Sequence, residues 1–158
     1  MRNKVTRRQF IATTAAAGVA AKVFAQAPAV IRTGVKPVVI SSANGNKFKN
    51  GGTMTAVEKA FSMIASGSDV LDAVIAGVNI VELDPLDDSV GYGGLPNADG
   101  VVQLDSSCMH GPKKRAGGVA AIEGVRTPSL VAKAVMEQTD HHLIVGQGAQ
   151  NFVPLGRR

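Results

Sequence analysis

Side chains able to do chemistry cluster between positions 84 and 110 of this chain. Residues 89–107 read SVGYGGLPNADGVVQLDSS and follow the acidic residues Asp84, Asp87 and Asp88. Gly91, Gly93 and Gly94 fall within four positions. Glycine tolerates positive φ and lets backbone approach other backbone or a ligand closely. The stretch reads as a glycine loop feeding the turn Asn97-Ala98-Asp99-Gly100 and a short buried strand at 101–104. Asp87 and Asp88 read as solvated loop charges. Ser107, Cys108 and His110 are residue types that build a nucleophile and its base, but no acid at suitable spacing completes a triad. His141 and His142 invite a metal reading. Adjacent side chains at a strand entrance point to opposite faces, however, and no third ligand accompanies them, so no metal site is assigned. Cys108 is the only cysteine, which excludes an intrachain disulfide and a cysteine-rich zinc site; it reads as a small buried hydrophobe.

The elements that must position these residues follow from pattern. A three-residue apolar run at 38–40 is a buried strand candidate, followed by a polar Gly/Asn-rich loop to Thr55. Thr55 caps a helix to about Ser66, with Val57, Ala60, Phe61 and Ile64 on one face and Gly67 as its stop. Ser68 then caps a second helix over 69–83, whose Val70, Ala73, Val74, Gly77, Val78 and Val81 keep the helical period. Strands are expected at 101–104, 118–123 and 143–145, and a helix starts at Thr127-Pro128. The order β-α-α-β-β-α-β suits an α/β class with layered α+β character.

The amino terminus reads as an address. Residues 1–27 combine a basic start, an Ala-rich apolar stretch over 11–21 and a small-residue site that places cleavage after Ala25. Arg7 and Arg8, within Thr6-Arg7-Arg8-Gln9-Phe10-Ile11, add the twin-arginine pattern, so the expectation is a periplasmic protein exported by that route. Residues 28–36 read as a linker, 37–152 as the folded body and 153–158 as a divergent tail. The formal net charge of +5 belongs to Arg2, Lys4, Arg7, Arg8 and Lys22 of the address. The remainder balances acid against base, which argues against a nucleic-acid partner.

Four blocks, taken in order, resemble the glycosylasparaginase family, also called N4-(β-N-acetylglucosaminyl)-L-asparaginases or aspartylglucosaminidases. These are ASGSDVLDAV at 65–74, ELD at 82–84, SVGYGGLPNADG with LDSSCMHG over 89–111, and the stretch from Gly118 to LIVGQG at 143–148. Members are N-terminal-nucleophile hydrolases, so the resemblance implies a partial αββα sandwich and hydrolysis of the β-amide of an asparagine carrying a sugar, releasing aspartate. It implies no cofactor. Ser89, Tyr92, Gly93 and Gly94 are the pocket-lining candidates, because the glycine loop resembles the family segment near the nucleophile.

Three departures accompany the resemblance. Many members carry a pocket-shaping tryptophan in the loop after the first strand, where this chain reads SSANGNKFKNGG. His110 stands where the family block has an acid. The family's His-Asp-Thr cleavage motif, whose freed threonine attacks with its own α-amine as base, lies beyond the matching blocks. No threonine of this chain follows His-Asp, so no catalytic nucleophile is assigned here. The expectation is the N-terminal, α-subunit-like portion of an amidohydrolase. Its partners would be the missing C-terminal, β-subunit-like half, forming a hetero-oligomer, and a small asparagine-type substrate. The alternatives are an inactive truncated product, as a frameshift or premature stop would leave, and a component of a related isoaspartyl peptidase or L-asparaginase.

Overall fold

The computed structural model describes Gly34 and residues 36–153. The address segment, most of the linker and residues 154–158 lie outside the described residues, so the readings of Arg7, Arg8 and Ala25 do too. The described residues from 37 to 153 belong to one compact unit. Its elements are α1 (Asn44–Lys47), α2 (Ala56–Ala65), α3 (Val70–Glu82), a 3-10 turn (Gly91–Gly93), β1 (Leu104–His110), β2 (Arg115–Ile122), α4 (Pro128–Gln138), β3 (Leu143–Val145) and α5 (Gly146–Phe152). Helices and one small sheet share the unit, an α+β arrangement.

Local chemistry explains the helix ends. The Thr55 hydroxyl accepts the Glu58 N–H at 3.3 Å, and the Glu58 carboxylate accepts the Thr55 N–H at 2.8 Å, a reciprocal capping box. Gly67, at φ 88°, stops α2. The N–H groups of Gly67 and Ser68 return to the carbonyls of Ile64 and Met63, closing a Schellman motif. The cap of α3 is Asp69 rather than Ser68: its Oδ1 accepts the N–H groups of Leu71 and Asp72. A carboxylate suits that end of the helix dipole better than a hydroxyl. α2 and α3 pack so closely that a Cβ at Gly77 would stand 2.5 Å from the Ala56 carbonyl oxygen.

The sheet has the order β1-β2-β3. β1 and β2 form an antiparallel hairpin with Cys108 opposite Gly117. β2 and β3 run parallel, joined through α4 as a βαβ unit. Between the pairs Leu104–Ile122 and Ser106–Val119 the register shifts, so Ala120 and Ala121 together face Asp105. Ala121 takes φ 51°, and its N–H donates to Asp105 Oδ1 at 2.8 Å, holding the bulge. Val119 and Ile122 on β2, Val131, Ala132 and Val135 on α4, and Ala149 on α5 make the core. Each large buried aliphatic contributes about 1.5–3 kcal/mol of transfer free energy.

Several expectations need correction. The apolar run at 38–40 forms no strand. It has no ladder partner among the described residues, and Val38 and Ile40 are 75% and 88% exposed. The strand expected at 101–104 begins at Leu104 and runs to His110. Its inward positions, Leu104, Ser106, Cys108 and His110, are too mixed in polarity to announce a strand. On α3 the line Val70, Val74 and Val78 is exposed, whereas Leu71, Ile75, Ala73, Gly77 and Val81 are buried. Thr127 holds the N-cap position of α4, but its side chain makes no capping bond.

Candidate functional site

The end of α3, the glycine loop, the start of β1 and the loop carrying α1 enclose a cleft of about 450 Å³. Ser42, Asn44, Glu82, Ser89, Gln103 and Ser106 supply its polar wall; Ala56, Val78, Val81 and Leu104 supply apolar surface. Gly91 shapes one side. It takes φ 61° and lies so close to α3 that a Cβ would meet the Glu82 carbonyl oxygen at 2.3 Å. A Cβ at Gly93 would meet the Asp87 carbonyl oxygen at 2.2 Å. Close backbone packing therefore accounts for both glycines.

Ser89 is bound from two sides. Its N–H donates to Asp87 Oδ1 at 2.6 Å, and its hydroxyl also donates to that oxygen. Asn44 Nδ2 donates to Ser89 Oγ at 3.1 Å, while Asn44 Oδ1 accepts from Ser42 and from the Gly45 N–H. The hydroxyl proton is thus turned inward toward a carboxylate, and the oxygen on the cleft side is left as an acceptor. Asp87 is 1% exposed, which corrects its reading as a solvated charge; Asp88 is exposed. Burial pushes the Asp87 carboxyl up, but the Ser89 hydroxyl and N–H, Asn44 and the Val90 N–H together outweigh it and hold the group below the usual range. Asp87 Oδ2 is buried without a partner among the described residues.

A second buried carboxylate seals the far wall. Glu82 Oε1 accepts the Ser129 N–H at 3.0 Å, and Oε2 accepts the Ser129 hydroxyl at 2.8 Å and Asn79 Nδ2 at 2.7 Å. The end of α3 thereby supplies the N-terminal cap that Thr127 does not give α4. Burial raises the Glu82 pKa against the lowering effect of these bonds. Asp84, also buried, accepts the Asn50 N–H at 2.7 Å and ties the α1 loop to the glycine loop.

The four pocket candidates part company. Ser89 lines the cleft. Tyr92 lines a separate cavity of about 200 Å³ with Val102, Gly124 and Arg126, whose guanidinium carbon lies 4.6 Å from the tyrosine ring centre. Gly93 and Gly94 line neither cavity. A further groove of about 380 Å³ runs along α4 beside Leu130, Lys133 and Glu137, far in kind from the hydroxyl-rich cleft.

His110 does find an orienting acid, 41 residues away in sequence. Its Nε2 lies 2.7 Å from Asp69 Oδ2. That bond leads the causes holding the Asp69 carboxyl below the usual range. The other ring nitrogen accepts the Lys113 N–H at 3.1 Å, so the buried imidazole has no lone pair left to serve a nucleophile. Burial raises the Cys108 thiol pKa, and its side chain packs against Leu71, Ile75 and Met136. Among the described residues no group of three metal-ligating side chains forms, and His141 and His142 are exposed.

Sequence reasoning missed Asn44, Asp69 and Glu82. Glu82 left a signal, as the acid that closes the largely apolar stretch of α3 after Asp72. Asn44 left none, because its partner Ser89 lies 45 residues on.

Residues 26–155 match the family described as Asparaginase. Over 121 residues the chain is 41% identical to an N(4)-(Beta-N-acetylglucosaminyl)-L-asparaginase of Elizabethkingia miricola, covering 77% of this chain and 33% of that protein. It is 36% identical over 101 residues to an isoaspartyl peptidase/L-asparaginase of Rattus norvegicus, covering 64% of this chain and 30% of the relative. It is 41% identical over 104 residues to a plant-type L-asparaginase of Pyrococcus furiosus, covering 66% and 33%. The chain therefore spans about a third of the length of the curated relatives it matches.

Proposed function

Because the chain belongs to the asparaginase family, we propose that it forms the N-terminal portion of an amidohydrolase that cleaves the side-chain amide of a (glycosyl)asparagine to aspartate. The observation that carries this reading is the wall of the cleft. Ser89, turned by Asp87 and Asn44, offers an acceptor oxygen within a pocket able to hold an amino-acid-sized ligand. The nucleophile comes from outside this chain: an N-terminal threonine whose hydroxyl attacks the amide carbon while its own α-amine takes the proton.

The N-terminal-nucleophile αββα sandwich is completed by a C-terminal, β-subunit-like half. The uncovered face of the sheet, where Met109, Leu143 and Val145 are 75%, 59% and 54% exposed, is the surface it would cover. Export by the twin-arginine route to the periplasm, through Arg7 and Arg8, belongs to the same proposal. A related substrate, free asparagine or an isoaspartyl peptide, is the second reading. The loop at 41–52 favours it by carrying no tryptophan to clasp a sugar.

The test measures aspartate released from asparagine, glycosylasparagine and a β-aspartyl dipeptide. The chain alone should release none. Co-expressed with the remaining part of the Elizabethkingia relative, it should release aspartate, and Ser89→Ala should sharply reduce the rate. Turnover by the chain alone that disappears on Ser89→Ala or Cys108→Ala would overturn the half-enzyme reading. An equal rate in the paired Ser89→Ala variant would remove Ser89 from the site.

A further inference from the structure

The sequence Asn-Gly occurs twice in the loop that borders the cleft, at Asn44-Gly45 and Asn50-Gly51, and the structure treats the two copies differently. Asn44 opens α1. Its side chain is held by Ser42, Ser89 and the Gly45 N–H, and Gly45 is buried with its N–H also directed at the Ser42 carbonyl. A Cβ at Gly45 would stand 2.5 Å from Ser41 Oγ, so neighbouring atoms press on this peptide.

Asn50-Gly51 forms the centre of a tight turn. Asn50 at φ 48° and Gly51 at φ 73° are both left-handed, and the Gly52 N–H closes on the Lys49 carbonyl at 2.8 Å. That turn bond employs neither the Asn50 side chain nor the Gly51 N–H. Among the described residues both lack a hydrogen-bond partner, and both residues are exposed. A Cβ at Gly51 would meet nothing within 4 Å.

We propose that Asn50 is a site of spontaneous deamidation and Asn44 is not. The Gly51 nitrogen attacks the Asn50 side-chain carbonyl carbon. A C–N bond forms, closing a cyclic imide, and the side-chain nitrogen leaves as ammonia with the Gly51 proton. Water then opens the imide at either carbonyl to give aspartate or isoaspartate; no oxidant or cofactor is consumed. The product places a new carboxylate beside the buried Asp84, which accepts the Asn50 N–H at 2.7 Å. Two like charges disfavour each other there. The isoaspartate form also lengthens the backbone at the point where the loop is tied down.

The experiment incubates the purified full chain in mildly alkaline buffer and locates the amide-to-acid mass change by peptide mapping. Isoaspartate is distinguished by its electron-transfer fragments. Asn50 should convert on the order of tenfold faster than Asn44, because Asn44 must first break its hydrogen bonds. In denaturant the two Asn-Gly sites should converge, and Asn50→Gln should abolish the fast conversion. No conversion at Asn50 in the folded chain, equal rates at both sites when folded, or a ratio that persists in denaturant would each overturn the proposal.

Discussion

On one face of the sheet Val119 and Ile122 are sealed beneath α4 and α5; on the other Met109, Leu143 and Val145 stand open to solvent. The strands alternate, so a single step along β3 passes from Ile144, packed against the core, to Val145, which is exposed. A sheet that meets water on one side is ordinarily polar on that side. Here the open face mixes Asp105 and Ser107 with large apolar side chains. A separate exposed line, Val70, Val74 and Val78, runs along α3, which packs on the covered side against Cys108 and Met136. The contrast teaches that the covered face is closed by α4 and α5 over Val119 and Ile122 and by α3 over Cys108, while the open face keeps large apolar side chains in solvent.

The largest expected difference comes from truncating each face. Ile122→Ala, at a fully buried position, should cost about 2–5 kcal/mol. Val145→Ala should stay within about 0.5 kcal/mol. Thermal or urea unfolding of the two variants measures both. Equal costs would mean that the open face is covered in solution, and the contrast would fail.

The neighbouring glycines of β2 sharpen the same point. A Cβ at Gly117 would stand 2.5 Å from both the Ala132 carbonyl oxygen and the Met136 nitrogen, forcing α4 off the sheet. At Gly118 the nearest atoms are at 3.2 Å and 3.3 Å. Gly117→Ala should therefore destabilise by about 1–3 kcal/mol, and Gly118→Ala by clearly less. A reversed order in their melting temperatures would show that α4 does not seat where the structure puts it.

A smaller effect concerns association. Replacing Met109 and Leu143 by Lys removes apolar surface from the open face without touching the core, so the melting temperature should hold. Self-association of the isolated chain, read by light scattering against concentration, should fall. Undiminished association would point to the Val70-Val74-Val78 line of α3 instead.

How much of this was legible in the sequence depended on how local the cause was. The Thr55 cap, the Gly67 stop, the strand near Gly118, the helix from Pro128 and the strand Leu143–Val145 are written in adjacent residues, and the structure places them there. The family was legible because the motif blocks are contiguous. What failed was long-range. The run at 38–40 has strand composition, but a strand exists only if another pairs with it. The α3 stripe was assigned to the core by its period, although periodicity does not say which of two apolar lines meets a partner. The site was half legible. Ser89 lies on the cleft wall, but its partner Asn44, the pair His110–Asp69 and the cap of α4 by Glu82 each join residues more than 40 apart. Asp87 looked solvated because its burial is produced by the fold of the glycine loop over it.

The smallest expected effect separates the two buried carboxylates of the cleft, one enclosed between helices and one gripped within a loop. Donors win at Asp87, whose folded pKa lies below its unfolded value. It contributes stability above an unfolded pKa of about 3.9, and that contribution is lost as pH falls through the folded pKa. Burial wins at Glu82, whose folded pKa is raised. Its contribution is complete below an unfolded pKa of about 4.3 and is lost as pH rises through the folded pKa. Asp87→Asn deletes the first dependence, so its melting temperature relative to wild type should drop as pH rises through the strongly acidic window. Glu82→Gln deletes the second, so its melting temperature relative to wild type should climb as pH rises above the ordinary glutamate range. Each substitution also carries a pH-independent cost from altered hydrogen bonds, which shifts the curve without tilting it. The slopes are therefore the readout. Slopes of the same sign would mean that the three donors around Glu82 outweigh its burial, and that the two carboxylates sit in equivalent surroundings after all.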